Sequence, residues 1–296
     1  RPPAPFSSLP PPTSDDYRIL VERMIREYSA RMKVSVELSA QDRTRLVQNL
    51  QGLTLVEAEK IVTRQIVEDG HLRAKDIEGV IAAKRQAIQQ DGLLEYYPPE
   101  FGLDQVAGLK GLKTWLGKRR SVVTDPQRAV DFGLRFPKGI LLLGVPGCGK
   151  SMCARAVATE WGLPLLKLDP ANLYDKYIGD SEKNFKRALQ TAERMAPVIL
   201  WIDELEKAFA QGGDESDGGV SRRVFGSFLG WLQGRRADVF VVATSNDVSR
   251  LPPEFIRKGR FDEVFFVDLP VPAVRESIFD IHLKRRGQQP SRFDLA

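Results

Sequence analysis

Two polar segments of the chain carry residue types that can bind and cleave phosphate groups. The first, Gly144-Val-Pro-Gly-Cys-Gly149-Lys-Ser151, follows the apolar run Ile140–Leu143 and fits the spacing of a phosphate-binding loop. In such a loop, backbone N–H groups and the N-terminus of the next helix face the phosphates. We expect Lys150 to neutralise the β- and γ-phosphates of a nucleotide and Ser151 to bind Mg²⁺. The predicted nucleotide-binding residues of this loop are Gly144, Pro146, Gly147, Cys148, Gly149, Lys150, Ser151 and Met152.

The second segment is the carboxylate pair Asp203 and Glu204, directly after the apolar run Val198–Ile202. The carboxyl ends of buried parallel strands are where α/β sheets bind ligands. We therefore expect Asp203 to hold Mg²⁺ and Glu204 to polarise the attacking water. After a phosphate loop, such a pair favours hydrolysis over nucleotide binding alone. Glu206 is predicted to be a solvated helix residue.

The elements that must position these groups are short runs of apolar residues. Runs that are apolar at every position predict strands buried on both faces, as in a parallel sheet. Five runs have this pattern, with Lys167 as the one polar exception: Ile140–Leu143, Leu165–Leu168, Val198–Ile202, Val239–Ala243 and Val264–Val267. Because they alternate with amphipathic stretches, the sequence predicts an α/β domain with a five-stranded parallel sheet flanked by helices.

A different pattern precedes this domain. Residues 1–14 are proline-rich and read as a linker, and residues 15–92 predict a small all-helical module of about four helices. Ser39-Ala-Gln-Asp42 and Thr54-Leu-Val-Glu57 have the spacing of capping boxes that open two of these helices. The α/β domain is predicted over residues 93–268, and residues 269–296 follow it.

Composition limits the remaining classes. The chain has 296 residues, 44 basic and 39 acidic side chains, two cysteines and two histidines. These counts exclude a disulfide scaffold and a structural zinc site, and the apolar runs are too short to span a membrane. The chain begins without methionine, which predicts a fragment or a processed form, and nothing at its start indicates secretion. We expect a cytoplasmic protein, or a stromal one if the gene is organellar.

Cys148 and Cys153 allow two interpretations. We favour the interpretation that both are small residues packed in a reduced interior over the interpretation that they form a redox pair. A thiol at the N-terminus of a helix is in a position that promotes reactivity, so a redox-sensitive Cys148 stays open.

Three further motifs follow the carboxylates: Ala243-Thr-Ser-Asn246-Asp247, Leu251-Pro-Pro-Glu254 and Arg257-Lys-Gly-Arg260-Phe-Asp262. Together with the phosphate loop they resemble the AAA ATPases of the classical clade, over about residues 101–283. The wording of these motifs is most similar to AAA proteins of cyanobacteria and plastid genomes, with relatives in other bacteria. The resemblance implies a P-loop NTPase fold of the AAA type, with ATP and Mg²⁺ as cofactors.

By this resemblance, Asn246 positions water against the γ-phosphate, and Arg257 and Arg260 reach the nucleotide of a neighbouring subunit. A guanidinium stabilises charge on a transferred phosphoryl group, which agrees with that role. Arginines that act in trans imply a homo-oligomeric ring, and the resemblance implies that this ring is a hexamer. The alternative is that both arginines make only local salt bridges.

The resemblance also assigns contacts to the nucleoside and to a substrate. His282 matches a residue that contacts the sugar or base, and Val106, Ala107 and Gly108 match a segment that packs on adenine. The loop Lys176-Tyr177-Ile178-Gly179 resembles an aromatic pore loop that grips a polypeptide, and the acidic glycine-rich segment 211–219 is expected to form a second pore-facing loop. The alternative for Tyr177 is packing under its own loop, and a lone histidine is otherwise a packing or surface residue.

An AAA lid follows the large subdomain, and here residues 269–296 supply only its first helix, Val271–Arg286. Residues 15–92 resemble the lid of a preceding, degenerate AAA-like module; the alternative is an unrelated helical adaptor.

We therefore expect an Mg²⁺-dependent ATPase that remodels or threads protein partners. The alternative is an ATP-gated scaffold or regulator with slow turnover, which need not retain Glu204, Asn246, Arg257 and Arg260 together. A nucleic-acid motor is less favoured, because dispersed basic pairs are typical of solvated faces. The substrate and any adaptor are not encoded in these motifs.

Overall fold

The computed structural model describes residues 12–31, 34–89, 92–98, 102–169, 181–209, 220–235 and 237–295. Within them the chain forms two compact units, one up to residue 89 and one that contains most of the remainder. Each unit has a buried apolar core of its own.

The first unit is built mainly from helices. Its described elements are α1 (Ser14–Ser29), β1 (Ser35–Glu37), α2 (Ala40–Leu50), α3 (Leu55–Asp69), β2 (His71–Arg73) and α4 (Asp76–Gln89). The prediction of four helices is confirmed, but the unit is not all-helical, because β1 and β2 pair in parallel with Ser35 opposite His71. Strands of three residues are too short to show a periodicity, so no pattern of residues predicted them.

Local hydrogen bonds explain where these helices begin. Both predicted capping boxes are confirmed: the Ser39 and Thr54 side chains accept from the backbone N–H three residues later, and the acids there accept from the cap residues. Thr13 and Asp16 form a third capping box at the start of α1. Each box satisfies N–H groups that the first helical turn leaves without partners.

The core of the first unit is formed by the apolar faces of these helices. Tyr17 and Met24 of α1 are buried against residues such as Leu46, Val62 and Ile66 from α2 and α3. Tyr17 also donates a hydrogen bond from its hydroxyl to the backbone oxygen of Leu53. The apolar face of α1, formed by Tyr17, Leu20, Val21 and Met24, is therefore its buried face.

The second unit alternates strands and helices. Its described elements are β3 (Leu94–Tyr97), α5 (Lys110–Thr124), α6 (Pro126–Asp131), β4 (Gly139–Leu143), α7 (Lys150–Trp161), β5 (Leu165–Leu168), α8 (Ser181–Arg194), β6 (Val198–Ile202), α9 (Leu205–Phe209), α10 (Val220–Gly234), β7 (Val239–Ser245), β8 (Glu263–Phe266) and α11 (Pro272–Arg285). None of the helices in the described part of the chain is long and apolar enough to cross a membrane.

One six-stranded sheet organises this unit, in the order β3-β5-β6-β7-β4-β8. The five predicted strands are all present and pair in parallel, which confirms the predicted α/β class. The sheet has one more strand than predicted, because β3 pairs antiparallel with β5 at the edge. All residues of β4, β6 and β7 are buried, as the apolar runs within these strands predict.

Aromatic and aliphatic side chains fill the space between the sheet and its helices. Trp161 of α7 packs edge-on against Phe240 of β7, with ring centroids 4.5 Å apart. Leu142, Val157 and Ile199 lie in the same cluster and are fully buried. This packing fixes α7 against the sheet, and with it the loop between β4 and α7.

Candidate functional site

The candidate site lies where three neighbouring parallel strands end. Strand β7 pairs with β6 on one side and with β4 on the other, so their carboxyl ends are adjacent. The segments that follow them line one cavity of about 390 Å³. Its lining residues are Pro146, Gly147, Gly149, Lys150, Ser151, Met152, Asp203, Glu204 and Asn246. The fold therefore brings together residues that three separate sequence motifs contribute.

The loop after β4 has a backbone that requires glycine at two positions. A Cβ on Gly144 would lie 2.0 Å from the backbone oxygen of Val267, which no side chain could tolerate. Gly149 has φ +95°, a left-handed conformation that glycine adopts without steric cost, and α7 begins directly after it. The N-terminus of this 12-residue helix thus faces the cavity, which favours an anion there.

Lys150 is held inside this loop. Its side chain is only 6% exposed, and Nζ donates to the backbone oxygens of Gly144 and Val145, each at 2.7 Å. Nζ also lies 3.5 Å from the Cys148 sulfur. The ammonium is therefore positioned by the loop itself, at the wall of the cavity.

Asp203 is oriented from two neighbouring strands. Its Oδ1 accepts a hydrogen bond of 2.6 Å from the Thr244 hydroxyl on β7, and its Oδ2 lies 4.0 Å from Nζ of Lys167 on β5. Ser151, at the start of α7, lines the same cavity. A hydroxyl and a carboxylate are hard oxygen donors of the kind Mg²⁺ prefers, so Ser151 and Asp203 fit such an ion.

Glu204 has an unusual backbone and a side chain contacted at both oxygens. Its φ is +50°, a strained value for a residue other than glycine. Oε1 accepts from Nδ2 of Asn246 at 3.1 Å, and Oε2 lies 2.5 Å from Nζ of Lys207. The hydrogen bond to Glu204 raises the pKa of Lys207, with the nearby acids Glu206 and Asp169 adding to the effect. Lys207 therefore carries its charge throughout the neutral range.

Thr244 was not among the predicted site residues, and the environment predicted for Glu206 was wrong. The Thr244 hydroxyl donates to Asp203 and accepts from the backbone N–H of Glu204 at 3.1 Å, so one buried group holds both carboxylate residues. Glu206 was predicted to be solvated, which is wrong: it is 6% exposed, and its Oε1 accepts from the backbone N–H of Asn246 at 3.0 Å. The partners of both side chains are about forty positions away in the sequence, so no local pattern predicted either contact.

Removing the Thr244 hydroxyl should impair chemistry more than folding. We expect Thr244→Val to lower kcat for Mg·ATP about thirtyfold, the equivalent of about 2 kcal/mol, because Asp203 and the Glu204 backbone lose a shared partner. Thr244→Ser retains the hydroxyl and should stay within about threefold of the wild type. Steady-state phosphate release, with Tm as the check on folding, measures this. Equal activity of the valine and serine variants would refute the role of Thr244.

A second cavity, of about 360 Å³, adjoins the glycine loop. It is lined by the four residues predicted to contact the nucleoside, Val106, Ala107, Gly108 and His282, and by Cys148 and Met152 of the phosphate loop. Helix α11 contributes an apolar wall that was not predicted, formed by Val274, Ile278 and Ile281. Their spacing places them on one face of the helix.

Close packing between this wall and the 106–108 segment requires a glycine. Gly108 has φ +68°, and a Cβ added there would lie 3.2 Å from Cγ1 of Val274. The segment can therefore approach α11 closely. The cavity is mostly apolar with few polar groups, which is typical of a site for a flat aromatic ring.

The loop of residues 257–262, here called the arginine loop, carries Arg257 and Arg260 and lies at the opposite end of the sheet from the cavity. The Asp262 carboxylate accepts from the backbone N–H groups of Lys138 and Gly139 at 2.6 and 2.9 Å, at the amino end of β4. The glycine loop leaves the carboxyl end of β4, about 16 Å away for a strand of this length. Arg257 and Arg260 are therefore not part of the cavity formed by their own chain.

The two arginines differ in exposure. Arg257 is exposed, whereas Arg260 is 9% exposed, and its Nε and Nη1 have no hydrogen-bond partner among the described residues. Lys138 donates from Nζ to the backbone oxygen of Gly259 at 2.7 Å, which further fixes this loop. Arg257 is thus the one presented on the surface by a rigid segment.

The two cysteines lie in different environments. Cys153 is fully buried in α7, and burial raises the pKa of its thiol to about 12, so it stays protonated. Cys148 is half-buried and lines the second cavity. Packing therefore accounts for Cys153, as the favoured interpretation of the two cysteines predicts. The predicted pore loop, Lys176 to Gly179, and the segment 211–219 lie outside the described residues.

Comparison with known families agrees with this geometry. Residues 140–269 match the model of the ATPase family associated with various cellular activities, AAA. The chain belongs to the AAA family. Residues 15–91 match a second model, described as the second domain of SpoVK-like AAA ATPases. The first match spans the glycine loop, both carboxylates, Asn246 and the arginine loop.

Individual relatives extend the similarity through both units. The chain is 43% identical over 250 residues to the AAA domain-containing protein ycf46 of Guillardia theta, covering 84% of this chain and 49% of the relative. It is 40% identical to ycf46 of Pyropia yezoensis, covering 89% and 54%. A more distant relative is the ATP-dependent zinc metalloprotease FtsH of Acidimicrobium ferrooxidans, at 33% identity over 65% of this chain and 30% of that one. The chain thus spans about half the length of the ycf46 relatives.

Proposed function

We propose that this protein binds Mg·ATP and hydrolyses it as a subunit of a ring that remodels or threads other proteins. The observation that carries the proposal is the convergence of Lys150, Asp203, Glu204 and Asn246 around one cavity at three adjacent strand ends. A cation, a metal-binding carboxylate, a second carboxylate and an amide are the groups that phosphoryl transfer to water requires. Membership of a family of ATPases supports this function.

Each group has a distinct role in the proposed reaction. Lys150 binds the β- and γ-phosphates in place of the two loop carbonyls that it now contacts. Bound Mg²⁺, held by Ser151 and Asp203, would neutralise charge on the phosphates. Glu204 accepts a hydrogen bond from the attacking water. Asn246 donates a hydrogen bond to Glu204 and so positions this carboxylate, and with it the water, against the γ-phosphate.

The nucleoside lies in the adjacent second cavity in this proposal. Val106, Ala107 and Gly108 pack on the adenine from one side, and α11 closes the other with Val274 and neighbouring residues. His282, also on α11, contacts the base or sugar. The glycine loop joins the two cavities, so one ATP molecule can occupy both.

Arg257 supplies the argument for assembly. It is exposed on a loop anchored at the opposite end of β4 from the cavity of its own chain. An arginine that stabilises the transferred phosphoryl group must then come from a neighbouring subunit, which implies a closed ring, six subunits by family likeness. Arg260 lies in the same loop and, being buried, supports its shape.

Residues 15–92 serve assembly or substrate choice rather than hydrolysis in this proposal. Their match to a domain of SpoVK-like AAA ATPases supports descent from the lid of an AAA-like module. The aromatic loop around Tyr177 is proposed to contact the threaded polypeptide.

A mixing experiment tests the trans arginine. We expect Arg257→Ala to lower kcat on the order of 1,000-fold, the lower end of the range for such an arginine. Glu204→Gln should also be inactive. In a 1:1 mixture, a site regains activity when an Arg257→Ala subunit meets a Glu204→Gln neighbour that donates its arginine, so about a quarter of wild-type activity should return.

The matched control combines Glu204→Gln with Lys150→Ala, two changes in the same cavity. Neither subunit can then complete a site for the other, and this mixture should stay inactive. Activity per subunit of the wild type should rise with protein concentration as rings assemble. Failure of the first mixture to exceed its components, with both variants folded, would refute the trans arrangement.

A further inference from the structure

Lys207 contacts the residue proposed to polarise the attacking water. It lies three positions after Glu204. The backbone N–H of Lys207 donates to the backbone oxygen of Glu204 at 2.8 Å, which closes a turn. This turn brings Nζ to 2.5 Å from Oε2 of Glu204. No role for this lysine follows from the phosphate loop, the metal-binding groups or the nucleoside cavity.

The contact leaves Glu204 with a partner on each oxygen. Oε1 accepts from Nδ2 of Asn246 at 3.1 Å, and Oε2 is paired with Lys207. An ionised carboxylate accepts about four hydrogen bonds in total, but an ammonium at this distance competes strongly with a water molecule for Oε2. A water that uses Oε2 must therefore displace Lys207 or share the oxygen with it.

The two contacts differ in how easily they can be broken. Asn246 is itself fixed, because its backbone N–H donates to the buried Glu206 side chain. The Lys207 side chain is 65% exposed and belongs to the short helix α9, so water can replace its pairing at little cost. Asn246 therefore positions Glu204, whereas Lys207 restrains it reversibly.

Other charges around this pair already have partners. Lys150 on α7 donates to its own loop, and Lys167 on β5 lies beside Asp203. Asp169, directly after β5, and Glu206 are the remaining acids close enough to stabilise the charge of Lys207. A lysine displaced from Glu204 thus remains in an acidic environment.

We propose that Lys207 is a positioning residue that restrains Glu204 before hydrolysis and so lowers the rate of the chemical step. The inference rests on the proposed function, since it assumes that Glu204 contacts the attacking water. Release of Oε2 from Lys207 precedes cleavage. ATP binding, which uses Lys150 and the second cavity, does not require that release.

The test separates cleavage from binding. Lys207→Met removes the charge at similar length, Lys207→Gln is a second neutral variant, and Lys207→Arg retains the positive charge. Lys186→Met is the matched control, because Lys186 forms a similar exposed pair with Glu182 on α8, at 2.7 Å, outside both cavities. Each variant is measured by single-turnover cleavage of radiolabelled ATP and by displacement of a fluorescent ATP analogue.

We expect both neutral variants to cleave bound ATP about fivefold faster than the wild type, the upper end for loss of an exposed ion pair. Their dissociation constants for ATP should stay within about twofold, and Lys207→Arg and Lys186→Met should match the wild type. A general structural effect would change binding or Tm together with the rate. A change in the cleavage rate alone, seen in both neutral variants and absent from Lys207→Arg, identifies the restraint.

Two other outcomes have separate meanings. If the wild type cleaves ATP and the neutral variants are equal or slower, the restraint is refuted and the proposed function stands. If ATP binds but neither the wild type nor any Lys207 variant cleaves it, under conditions of full assembly, the proposed function fails and the restraint fails with it.

Discussion

Replacing Glu204 with glutamine should leave ATP bound and uncleaved, with kcat lowered by about 10³-fold. Of the two carboxylates among the described residues that line the cavity, Asp203 is assigned to the metal, which leaves Glu204 to accept a hydrogen bond from water. Glutamine retains the shape and an oxygen for Asn246. It lacks the negative charge that orients and polarises a water molecule.

ATP affinity should change little in this variant, because the phosphates contact Lys150 and the N-terminus of α7 instead. The nucleotide that remains bound after gel filtration should be ATP, whereas the wild type should contain ADP. Glu160→Gln, on the opposite part of α7, removes a carboxylate outside both cavities and should keep wild-type turnover. Hydrolysis by Glu204→Gln within about tenfold of the wild type would exclude Glu204 from the proposed role.

The sheet that positions Asp203, Glu204 and Asn246 was predictable because its strands contain nearly uninterrupted apolar runs. Leu165–Leu168 and Val198–Ile202 coincide with β5 and β6, and the other predicted strands differ from the observed ones by one or two residues. Burial on both faces, which such sequences predict, is observed for β4, β6 and β7. It is wrong for the edge strand β8, where Phe266 is 67% exposed although the run is apolar. The position of Asp203 after β6 followed directly from the apolar run of that strand.

Groups that depend on partners distant in the chain were not predictable. Thr244 and Glu206 are ordinary polar residues in the sequence, and their importance arises only when β6 and β7 pair and bring them against the carboxylates and Asn246. The edge strand β3 was missed for a related reason. Its four residues, from Leu94, form a strand only by pairing antiparallel with β5, about seventy positions later.

The pairing of Glu204 with Lys207 lies between these cases. A spacing of three residues makes the contact possible, and a helical turn after Glu204 makes it occur. What the sequence could not provide is the left-handed backbone at Glu204, which directs the side chain toward both Lys207 and Asn246. The order of events proposed for Glu204 therefore depends on a conformation rather than on a motif.

Replacing Lys150 with alanine should abolish tight binding of ATP and, with it, all hydrolysis. The Lys150 side chain is 6% exposed, and its ammonium replaces two carbonyl contacts with phosphate contacts when nucleotide binds. Losing a charge-assisted contact to each of two phosphates should raise the dissociation constant for ATP about 100-fold or more. Hydrolysis at saturating ATP should fall by at least as much.

Thermal unfolding can distinguish lost binding from lost folding. ATP should raise the Tm of the wild type, because a ligand that binds only the folded state stabilises it, and should leave the Tm of Lys150→Ala unchanged. Without nucleotide, the variant should unfold at a slightly lower temperature, since the oxygens of Gly144 and Val145 lose a donor. Lys186→Ala, on the exposed surface of α8, should show the full ATP-dependent shift. If Lys150→Ala bound ATP as tightly as the wild type, its ammonium would act on the transition state alone, and the assignment of Lys150 to ground-state phosphate binding would be wrong.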